Sequence, residues 1–499
     1  MVCAISLALY NYFKLNLTFK EQEIDTLNKI GQILKELYTQ GDIYREEIKK
    51  NDLKKEIFED RKFFTLIHGD FSGIQRFIHL ISSKYAMKTL KGRSFFFSVL
   101  TENFAKYIVD QLELTQANII FAGGGHFYII AHYSDDLKLQ LSEISIKINK
   151  LFIEQFNSNL YLALDYIPLS LKDLVYNVSE KWEEVNKKTS IKKREKFSDI
   201  IKREKDAYFP KIFGPIEGSA KKLQRCSICN SFGTLEIMPD SDEYWCIMCK
   251  SFKELTDDLR FSKFYRDIQF DSVKSYNTIL NEFEKAISLE ENVETNQKEW
   301  YSINNLSLKN CLGDKQFPIA FPLNEFSFIK SNEELATQAY QRTGFNKLGI
   351  LKMDVDSLGK VFQKGLGKNS TISRVSTLSS SLTLFFEGYV PKLIQSEFSD
   401  SVYLIFSGGD DLFAVGSWDK LIDFSFRLYR DFRRFTAFNP DISLSAGIVL
   451  ESPNFPIIKA SLSAETELDR AKHFEKFTGN INTKNKISLF GFVIKWDWN

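Results

Sequence analysis

The chain has 499 residues, of which 43% are hydrophobic and 26% charged, and this length exceeds what one hydrophobic core accommodates. Its 66 Lys and Arg residues balance 65 Asp and Glu residues, which excludes a protein that binds nucleic acid through its overall charge. The sequence contains only ten prolines and no low-complexity tract, which excludes extensive disorder.

The N-terminal stretch, Met1 to Phe13, is apolar and predicts an amphipathic helix. It is too short to span a membrane and lacks the basic start and cleavage signature of a secretory signal. We therefore expect a cytoplasmic protein with no membrane partner. Residues 20–58 predict a charged helical hairpin or connector, so residues 1–61 form an N-terminal helical segment.

The first palm-like pattern starts with a strand signal that ends at Asp70. Helical periodicity follows over Ser94–Val109, and two apolar runs around the turn Gly123–Gly125 predict a hairpin. This order predicts a β-α-β palm domain over residues 62–165.

Two groups of residues in this domain are candidates for ligand contacts. Asp70, Ser72 and Gly73 stand at the strand end, where backbone amides and a carboxylate could meet a nucleotide. Lys91 and Arg93 fit two interpretations equally: contacts to a triphosphate or an RNA backbone, or residues that cap and solvate a helix start.

A charged helical linker with a cysteine cluster is predicted over residues 166–260. The basic run Lys192–Arg194 is typical of a solvated helix. Two CxxC pairs separated by sixteen residues strongly indicate a closed, structural zinc site, because a chain without a secretion signal disfavours disulfides. The predicted ligands are Cys226, Cys229, Cys246 and Cys249.

The next segment, residues 261–345, predicts a mixed connector to which the sequence assigns no chemistry. It contains a proline loop at Phe317–Pro322. Cys3 and Cys311 are expected to be inert.

Residues 346–499 predict a second palm, with a strand signal over Gly349–Asp356 that ends in two acids, Asp354 and Asp356. The order of elements is β-α-β-β-α-β with additions, as in ferredoxin-like palms. The predicted later elements are helix Ser373–Phe398, helix Lys420–Arg434, strand Ile442–Leu450, helix Ala460–Phe474 and strand Lys486–Phe492. The predicted fold class is α+β, with two ferredoxin-like palms joined by a zinc-binding, mainly helical connector.

Three carboxylates of this second palm are candidate catalytic residues. Asp354 ends the strand, and Asp410 and Asp411 stand at a hairpin turn whose glycines allow close approach of a ligand. Adjacent carboxylates repel each other, so we expect Mg2+ or Mn2+ to bind between them, as two-metal nucleotidyl transfer requires. A solvated turn is the alternative interpretation of the hairpin. The backbone at Val355, Ser407, Gly408 and Gly409 is predicted to contact the nucleotide.

The two palms resemble each other as an internal repeat. Gly123 follows Asp70 by 53 positions, and Gly408 follows Asp354 by 54. Alignment of the two hairpins places Gly125 and His126 where Asp410 and Asp411 stand. We therefore expect the first palm to have lost its metal-binding acids.

The order of these motifs resembles the large subunit of type III CRISPR interference complexes, most closely the Csm-type (III-A) version. The resemblance rests on six segments spread over nearly the whole chain. They are His68–Ile78, Leu90–Phe96, Gly123–Gly125, the four cysteines, Leu351–Gly359 and Gly408–Asp411.

The resemblance implies an enzyme that makes cyclic oligoadenylate from ATP when the assembled complex binds target RNA. It also implies that Lys472 binds the triphosphate, although a plain surface lysine fits the sequence equally. The implied partners are ATP, the small subunit of the complex, and guide and target RNA held through other subunits.

The family usually carries an HD nuclease domain before the first palm and a helical domain after the second. The chain contains no His-Asp dipeptide, and its five histidines show no metal-ligand spacing. We therefore expect no HD nuclease activity here, and we expect both of these domains to be missing.

Two other functions remain open from the sequence. One is a diguanylate-cyclase-like enzyme that uses GTP, although Leu412 stands where such enzymes usually carry Phe. The other is a non-catalytic scaffold of a ribonucleoprotein, against which the intact acids of the second palm argue.

Overall fold

The structure is a computed structural model that describes residues 2–15, 21–40, 48, 50–79, 86–214, 224–229, 231, 234–238, 243–293, 300–302, 330–366, 371–473 and 484–496. The predicted proline loop and Cys311 lie outside these residues. Contacts divide the chain into two compact units, each composed of three segments. The first comprises Met1–Gly73, Thr101–Ile216 and Phe362–Ser379, and the second comprises Ile74–Leu100, Glu217–Val361 and Ser380–Asn499.

The described helices and strands are interspersed along the chain. The helices are α1 (Val2–Leu15), α2 (Glu21–Gln40), α3 (Asp52–Lys55), α4 (Ile74–His79), α5 (Ala86–Gln111), α6 (Leu137–Phe156), α7 (Leu171–Tyr176), α8 (Val178–Arg194), α9 (Ser198–Arg203), α10 (Lys205–Phe213), α11 (Ile247–Phe261), α12 (Thr278–Asn281), α13 (Asn332–Thr343), α14 (Leu358–Lys360), α15 (Ile372–Thr383), α16 (Val390–Leu393), α17 (Trp418–Phe435) and α18 (Ile457–His473). Short π-helical segments are Glu56–Asp60, Val361–Gly365, Leu384–Tyr389 and Ile394–Phe398, and 3-10 turns are Gln116–Asn118 and Ser275–Asn277. The strands are β1 (Phe64–Ser72), β2 (Ile119–Gly123), β3 (His126–His132), β4 (Tyr161–Leu169), β5 (Leu235–Ile237), β6 (Tyr244–Cys246), β7 (Phe264–Ile268), β8 (Ala286–Glu290), β9 (Tyr301–Ser302), β10 (Leu348–Val355), β11 (Val402–Gly408), β12 (Asp411–Ser417), β13 (Leu444–Glu451), β14 (Lys486–Leu489) and β15 (Phe492–Lys495).

The first unit contains an antiparallel sheet with the strand order β2-β3-β1-β4, the order of a ferredoxin-like palm. Successive side chains of a strand point to opposite faces, so each face of β1 meets a different set of helices. On one face Phe71 packs against Phe104 of α5 and Phe152 of α6. On the other face Tyr128 of β3 stacks on Trp182 of α8, with ring centroids 4.0 Å apart. Helix α8 therefore belongs to the core of the first palm.

The second unit contains a six-stranded sheet with the order β11-β12-β10-β13-β14-β15. Its first four strands repeat the order of the first sheet, and β14 pairs in parallel with β13. The predicted strand Lys486–Phe492 is wrong at its end, because Phe490 and Gly491 adopt positive φ and turn the chain into β15. This unit also contains the hairpin β5–β6 and the small sheet β8-β7-β9.

The predicted repeat is confirmed in strand order and in register. Asp70 pairs with His126 in the first sheet, and Asp354 pairs with Asp411 in the second. Both hairpins carry a register shift three residues before the terminal glycine of their first strand, at Ile120 and at Ile405. The sequence alignment of the two hairpins therefore matches the three-dimensional structure.

The same backbone contact joins strand and hairpin in each palm. The amide of Phe71 donates to the Gly125 carbonyl at 2.9 Å, and the amide of Val355 donates to the Asp410 carbonyl at 3.1 Å. These contacts fix the hairpin tip beside the end of the central strand. The described helices include no candidate for a membrane-spanning segment.

Candidate active site

The three predicted carboxylates of the second palm come together. Asp354 and Asp411 face each other across β10 and β12, and Asp410 lies in the turn. One oxygen from each of the three carboxylates lies within 4.8 Å of the others, and all three residues are half-buried. The bond from the Val355 amide to the Asp410 carbonyl holds this arrangement.

The hairpin turn is shaped by its two glycines. Gly409 has φ +66°, a conformation that side chains other than glycine rarely adopt. A Cβ on Gly408 would lie 3.1 Å from a carboxylate oxygen of Glu387. The hydroxyl of the buried Ser407 donates to the Phe386 carbonyl at 2.5 Å, so only its backbone remains for the predicted nucleotide contact.

The second acid of the Asp354-Val355-Asp356 segment has a different position. Asp356 is 2% exposed and accepts hydrogen bonds from the hydroxyls of Ser443 and Ser445, both at 2.7 Å. It also accepts from the backbone amide of Asn485 at 3.0 Å. Asp356 therefore joins the central strand to β13 and to the segment before β14, outside the carboxylate cluster.

Two lysines stand beside the cluster. The Lys472 ammonium, from the last turn of α18, contacts the Asp354 carboxylate. The Lys484 ammonium donates to the Ser357 hydroxyl at 2.8 Å. Burial and the nearby charge of Lys484 lower the pKa of Lys472 to about 8. The predicted lysine is therefore next to the acids, and Lys484 is a second cation that the sequence did not single out.

The charge of the acids is only partly compensated by protein groups. Burial, reinforced by the charges of Asp410 and Glu465, raises the pKa of Asp411 to about 7. Glu465 in turn pairs with Lys352 at 2.6 Å. Sequence reasoning missed Glu465, although it precedes Lys472 by seven positions and so lies on the same face of α18.

The residues of this cluster fit a hard divalent cation. Mg2+ prefers carboxylate oxygens in nearly octahedral geometry at about 2.1 Å, with water filling the remaining positions. Three carboxylates whose oxygens converge within 4.8 Å, one of which has its pKa raised by burial and by the charge of Asp410, provide such ligands. Asp354, Asp410 and Asp411 are the residues that would hold the ion.

The corresponding position of the first palm carries different groups. Asp70 is 6% exposed and pairs with Lys193 of α8 at 2.5 Å. His126, its partner in register, lies 3.1 Å from the other carboxylate oxygen. Asp70, His126 and His68 together form a second group whose ligand atoms lie within 4.8 Å of one another. Sequence spacing missed this group, because strand pairing joins residues 56 positions apart.

The strand end of the first palm is closely packed. Gly73 has φ +94°, and a Cβ at this residue would lie 1.9 Å from the Asn159 carbonyl oxygen. Only glycine fits there without a shift of the backbone. Ser72 is half-buried at the end of β1, where it remains a predicted nucleotide contact.

Both interpretations of Lys91 and Arg93 are wrong, because both side chains are buried within α5. Lys91 is 3% exposed, donates to the Leu404 carbonyl at 3.1 Å, and has its pKa lowered by burial to about 7. Arg93 is 4% exposed and donates to the Phe77 carbonyl at 2.7 Å and to the Cys249 sulfur at 3.1 Å. These two side chains therefore stabilise the interior of the second unit and do not contact a phosphate.

The four predicted zinc ligands also come together. The sulfurs of Cys226, Cys229, Cys246 and Cys249 lie within 4.8 Å of one another. Sulfurs about 2.3 Å from a tetrahedral zinc are about 3.8 Å apart. Those of Cys229 and Cys246 are 3.7 Å apart. Hydrogen bonds from the other three sulfurs hold the pKa of Cys229 far below its usual range. The cluster fits a closed zinc site, with Arg93 bonded to one sulfur.

Two protein-family models match the chain. Residues 63–208 match the Csm1 subunit domain B, and residues 347–486 match the second palm domain of Cas10/Cmr2. The first match includes α8, which the sequence had assigned to a linker.

Curated relatives share the name CRISPR system single-strand-specific deoxyribonuclease Cas10/Csm1 (subtype III-A). The protein of Methanocaldococcus jannaschii is 35% identical, over 91% of this chain and 64% of the relative. That of Enterococcus italicus is 28% identical, over 90% of this chain and 57% of the relative. The chain thus spans less than two thirds of the length of these relatives.

Solved structures share the fold. The Csm1–Csm4 cassette in complex with cA3 matches with a TM-score of 0.65 at 23% identity, over 88% of this chain and 57% of that chain. The same cassette in complex with one ATP matches with the same TM-score, identity and coverage.

The two acids of the Asp354–Asp356 segment should differ in their effect on stability. An Asp356→Ala variant leaves two buried hydroxyls and one half-buried amide without this acceptor, which should destabilise the second unit by about 2–4 kcal/mol. An Asp410→Ala variant removes one of several like charges and should change stability by less than about 1 kcal/mol. Urea unfolding of the two variants measures the difference, and equal destabilisation would contradict the assigned roles.

Stability should depend on pH through Asp411. Because folding raises its pKa from 3.8 to about 7, the folded state binds the proton more tightly than the unfolded state does. Without divalent cations, stability should therefore fall as pH rises between these two values. Mg2+ should restore stability, and more strongly at about pH 8 than at about pH 5.5, since it competes with that proton.

Thermal unfolding with and without MgCl2 at both pH values measures this effect. In an Asp411→Asn control, the Mg2+ effect should lose most of its pH dependence. The same Mg2+ effect at both pH values in the unaltered chain would contradict the assignment.

Proposed function

Since the chain belongs to the Cas10/Csm1 family, we propose that its second palm is a nucleotidyltransferase site that makes cyclic oligoadenylate from ATP. The observation that carries the proposal is the convergence of Asp354, Asp410 and Asp411 at one strand end, within 4.8 Å. Three clustered carboxylates at a glycine turn, with a lysine beside them, suit a metal-bound triphosphate better than a structural role. Asp356 shows the contrast, because its hydrogen bonds are all satisfied within the protein.

The proposed reaction joins two nucleotides. The 3′-hydroxyl oxygen of an acceptor ATP forms a bond to the α-phosphorus of a donor ATP, as the bond from that phosphorus to the β-phosphate bridging oxygen breaks. Pyrophosphate leaves, and the hydroxyl proton passes to solvent. Repetition and a final intramolecular transfer close the ring with 3′-5′ linkages. Divalent metal at the three acids would activate the attacking oxygen and neutralise the leaving group.

The lysines beside the acids would bind the donor triphosphate. In the free protein the Lys472 ammonium compensates the Asp354 carboxylate. The Lys472 ammonium would be available to the phosphates once the Asp354 carboxylate held a metal ion. Lys484 is close enough to lower the pKa of Lys472, and so would add a second positive charge for the same triphosphate. The nucleotide would also contact the protein backbone, at Val355, Ser407, Gly408 and Gly409.

The first palm would bind the acceptor. Its hairpin carries Gly125 and His126 where the second palm has Asp410 and Asp411. We assign acceptor contacts to Asp70, Ser72 and Gly73. Because the two palms repeat the same sheet order, each has an equivalent strand end at which a nucleotide could bind.

The partners of the chain are part of the proposal. The matching solved structures contain Csm1 together with Csm4, and some contain ATP or cyclic oligoadenylate. We propose that this chain likewise works in a type III complex in the cytoplasm, where guide and target RNA held through other subunits and the small subunit control its activity.

An Asp410→Ala/Asp411→Ala double variant should abolish pyrophosphate release from ATP, because it removes two of the three acids at the proposed metal site. We expect a loss of at least about a hundredfold, typical of removing groups that stabilise transition-state charge. The assay uses the chain assembled with its complex subunits, guide RNA and target RNA, and measures pyrophosphate with each nucleotide separately.

An Asp441→Ala variant, which removes an exposed carboxylate of the same unit, serves as the matched control and should keep full activity. Undiminished pyrophosphate release by the double variant would refute the metal assignment. Turnover of GTP in place of ATP would favour a diguanylate-cyclase-like enzyme, and no turnover of either would favour a scaffold.

A further inference from the structure

The first palm contains a cluster of ligand atoms that includes two histidines to which the proposed reaction gives no role. His68 and Asp70 lie two residues apart on β1, so their side chains share one face of the sheet. His126 enters the same place from β3, directly opposite Asp70. A nitrogen or oxygen atom from each of the three lies within 4.8 Å of the others.

The hydrogen bonds of His68 define which nitrogen is available. Its Nδ1 lies 2.8 Å from the Thr189 hydroxyl, which is also within hydrogen-bond distance of two carbonyls of its own helix, Asn186 at 3.0 Å and Val185 at 3.3 Å. A hydroxyl has one hydrogen, so when Thr189 donates it to either carbonyl, the hydroxyl accepts from His68, whose proton is then on Nδ1. Nε2 is left with a lone pair. This atom is buried and has no hydrogen-bond partner among the described residues.

The ring of His68 is held firmly in this orientation. Its plane lies within 3° of the Tyr128 ring, with centroids 4.2 Å apart, and Tyr128 stacks in turn on Trp182. An imidazole whose N–H is bound to an oxygen and whose other nitrogen is unprotonated is the usual arrangement of a metal-ligating histidine. His126 is 44% exposed at its side chain, so the cluster is open to solvent on that side.

The distances fit a small transition-metal ion. Ligand atoms about 2.1 Å from a tetrahedral zinc are about 3.4 Å apart. His126 Nδ1 and Asp70 Oδ1 lie 3.1 Å apart without the angle of a hydrogen bond. Two imidazoles and one carboxylate form a ligand set that suits zinc and its neighbours and suits Mg2+ poorly.

We propose that the first palm binds a zinc-class transition-metal ion through His68, Asp70 and His126. The site occupies the strand position at which the second palm gathers its acids, with nitrogen ligands in place of oxygen ligands. The fold therefore provides the same position twice, and the side chains select a different class of metal. This proposal does not depend on the proposed nucleotidyltransferase activity.

Lys193 provides a way to distinguish this site from an ordinary ion-pair network. Its ammonium holds the second oxygen of Asp70, Oδ2, at 2.5 Å. If the cluster is only an ion pair, removal of the ammonium affects no metal. If the cluster binds a metal, removal of a positive charge next to the site should strengthen binding.

The test is a calorimetric titration with Zn2+ of the full chain, purified with its cysteine cluster already filled. We expect one further zinc ion per chain. A His126→Ala variant should weaken this binding at least about tenfold, as is usual when part of a ligand set is lost. A Lys193→Met variant should strengthen it about tenfold. A His473→Ala variant, which removes an exposed histidine whose hydrogen bond among the described residues is to Asp469 of its own helix, should bind as the unaltered chain does.

Circular dichroism of the His126→Ala variant shows whether the first unit remains folded. We expect it to remain folded, because the His126 side chain is partly exposed. If the unaltered chain takes up no further zinc, the proposal is wrong. It is equally wrong if the His126→Ala variant binds zinc as tightly as the His473→Ala control.

Discussion

The antiparallel register between the central strand and the hairpin is the constraint on which the second palm depends. It places Asp354 opposite Asp411, with Asp410 in the adjoining turn, and so brings three negative charges within 4.8 Å. Such charges repel each other. Lys472 of a neighbouring helix contacts Asp354, and burial together with the charges of Asp410 and Glu465 raises the pKa of Asp411 to about 7. The protein groups alone leave this repulsion only partly compensated, and a divalent cation would complete the compensation.

The same framework occurs twice in the chain. Each palm has an aspartate near the end of its central strand, a hairpin held to that strand end by a backbone hydrogen bond, and a lysine from a helix that contacts the aspartate. Lys193 contacts Asp70 as Lys472 contacts Asp354. The palms differ in several side chains, among them Gly125 and His126 at the hairpin tip and His68 on the central strand. These side chains together change which ion the position suits, while the strand pairing stays the same.

The features of the fold and the site that short local motifs encode could be predicted from the sequence. The glycine turn, the strand-end aspartate and the two CxxC pairs are short patterns with a direct physical meaning, and the repeat placed them in one architecture. Features that depend on tertiary packing could not be predicted in this way. Lys91 and Arg93 carry charges, which suggested exposure, but α5 buries both against backbone carbonyls. His68 and His126 lie far apart in the chain, and only strand pairing brings them together.

The most direct test of the account is to locate manganese by anomalous X-ray diffraction. Crystals of the chain in its complex would be grown with Mn2+ and a non-hydrolysable ATP analogue. The account predicts anomalous density bounded by Asp354, Asp410 and Asp411, with the triphosphate of the analogue beside it and Lys472 turned towards the phosphates. Bound analogue with manganese elsewhere, and none at these three carboxylates, would contradict it.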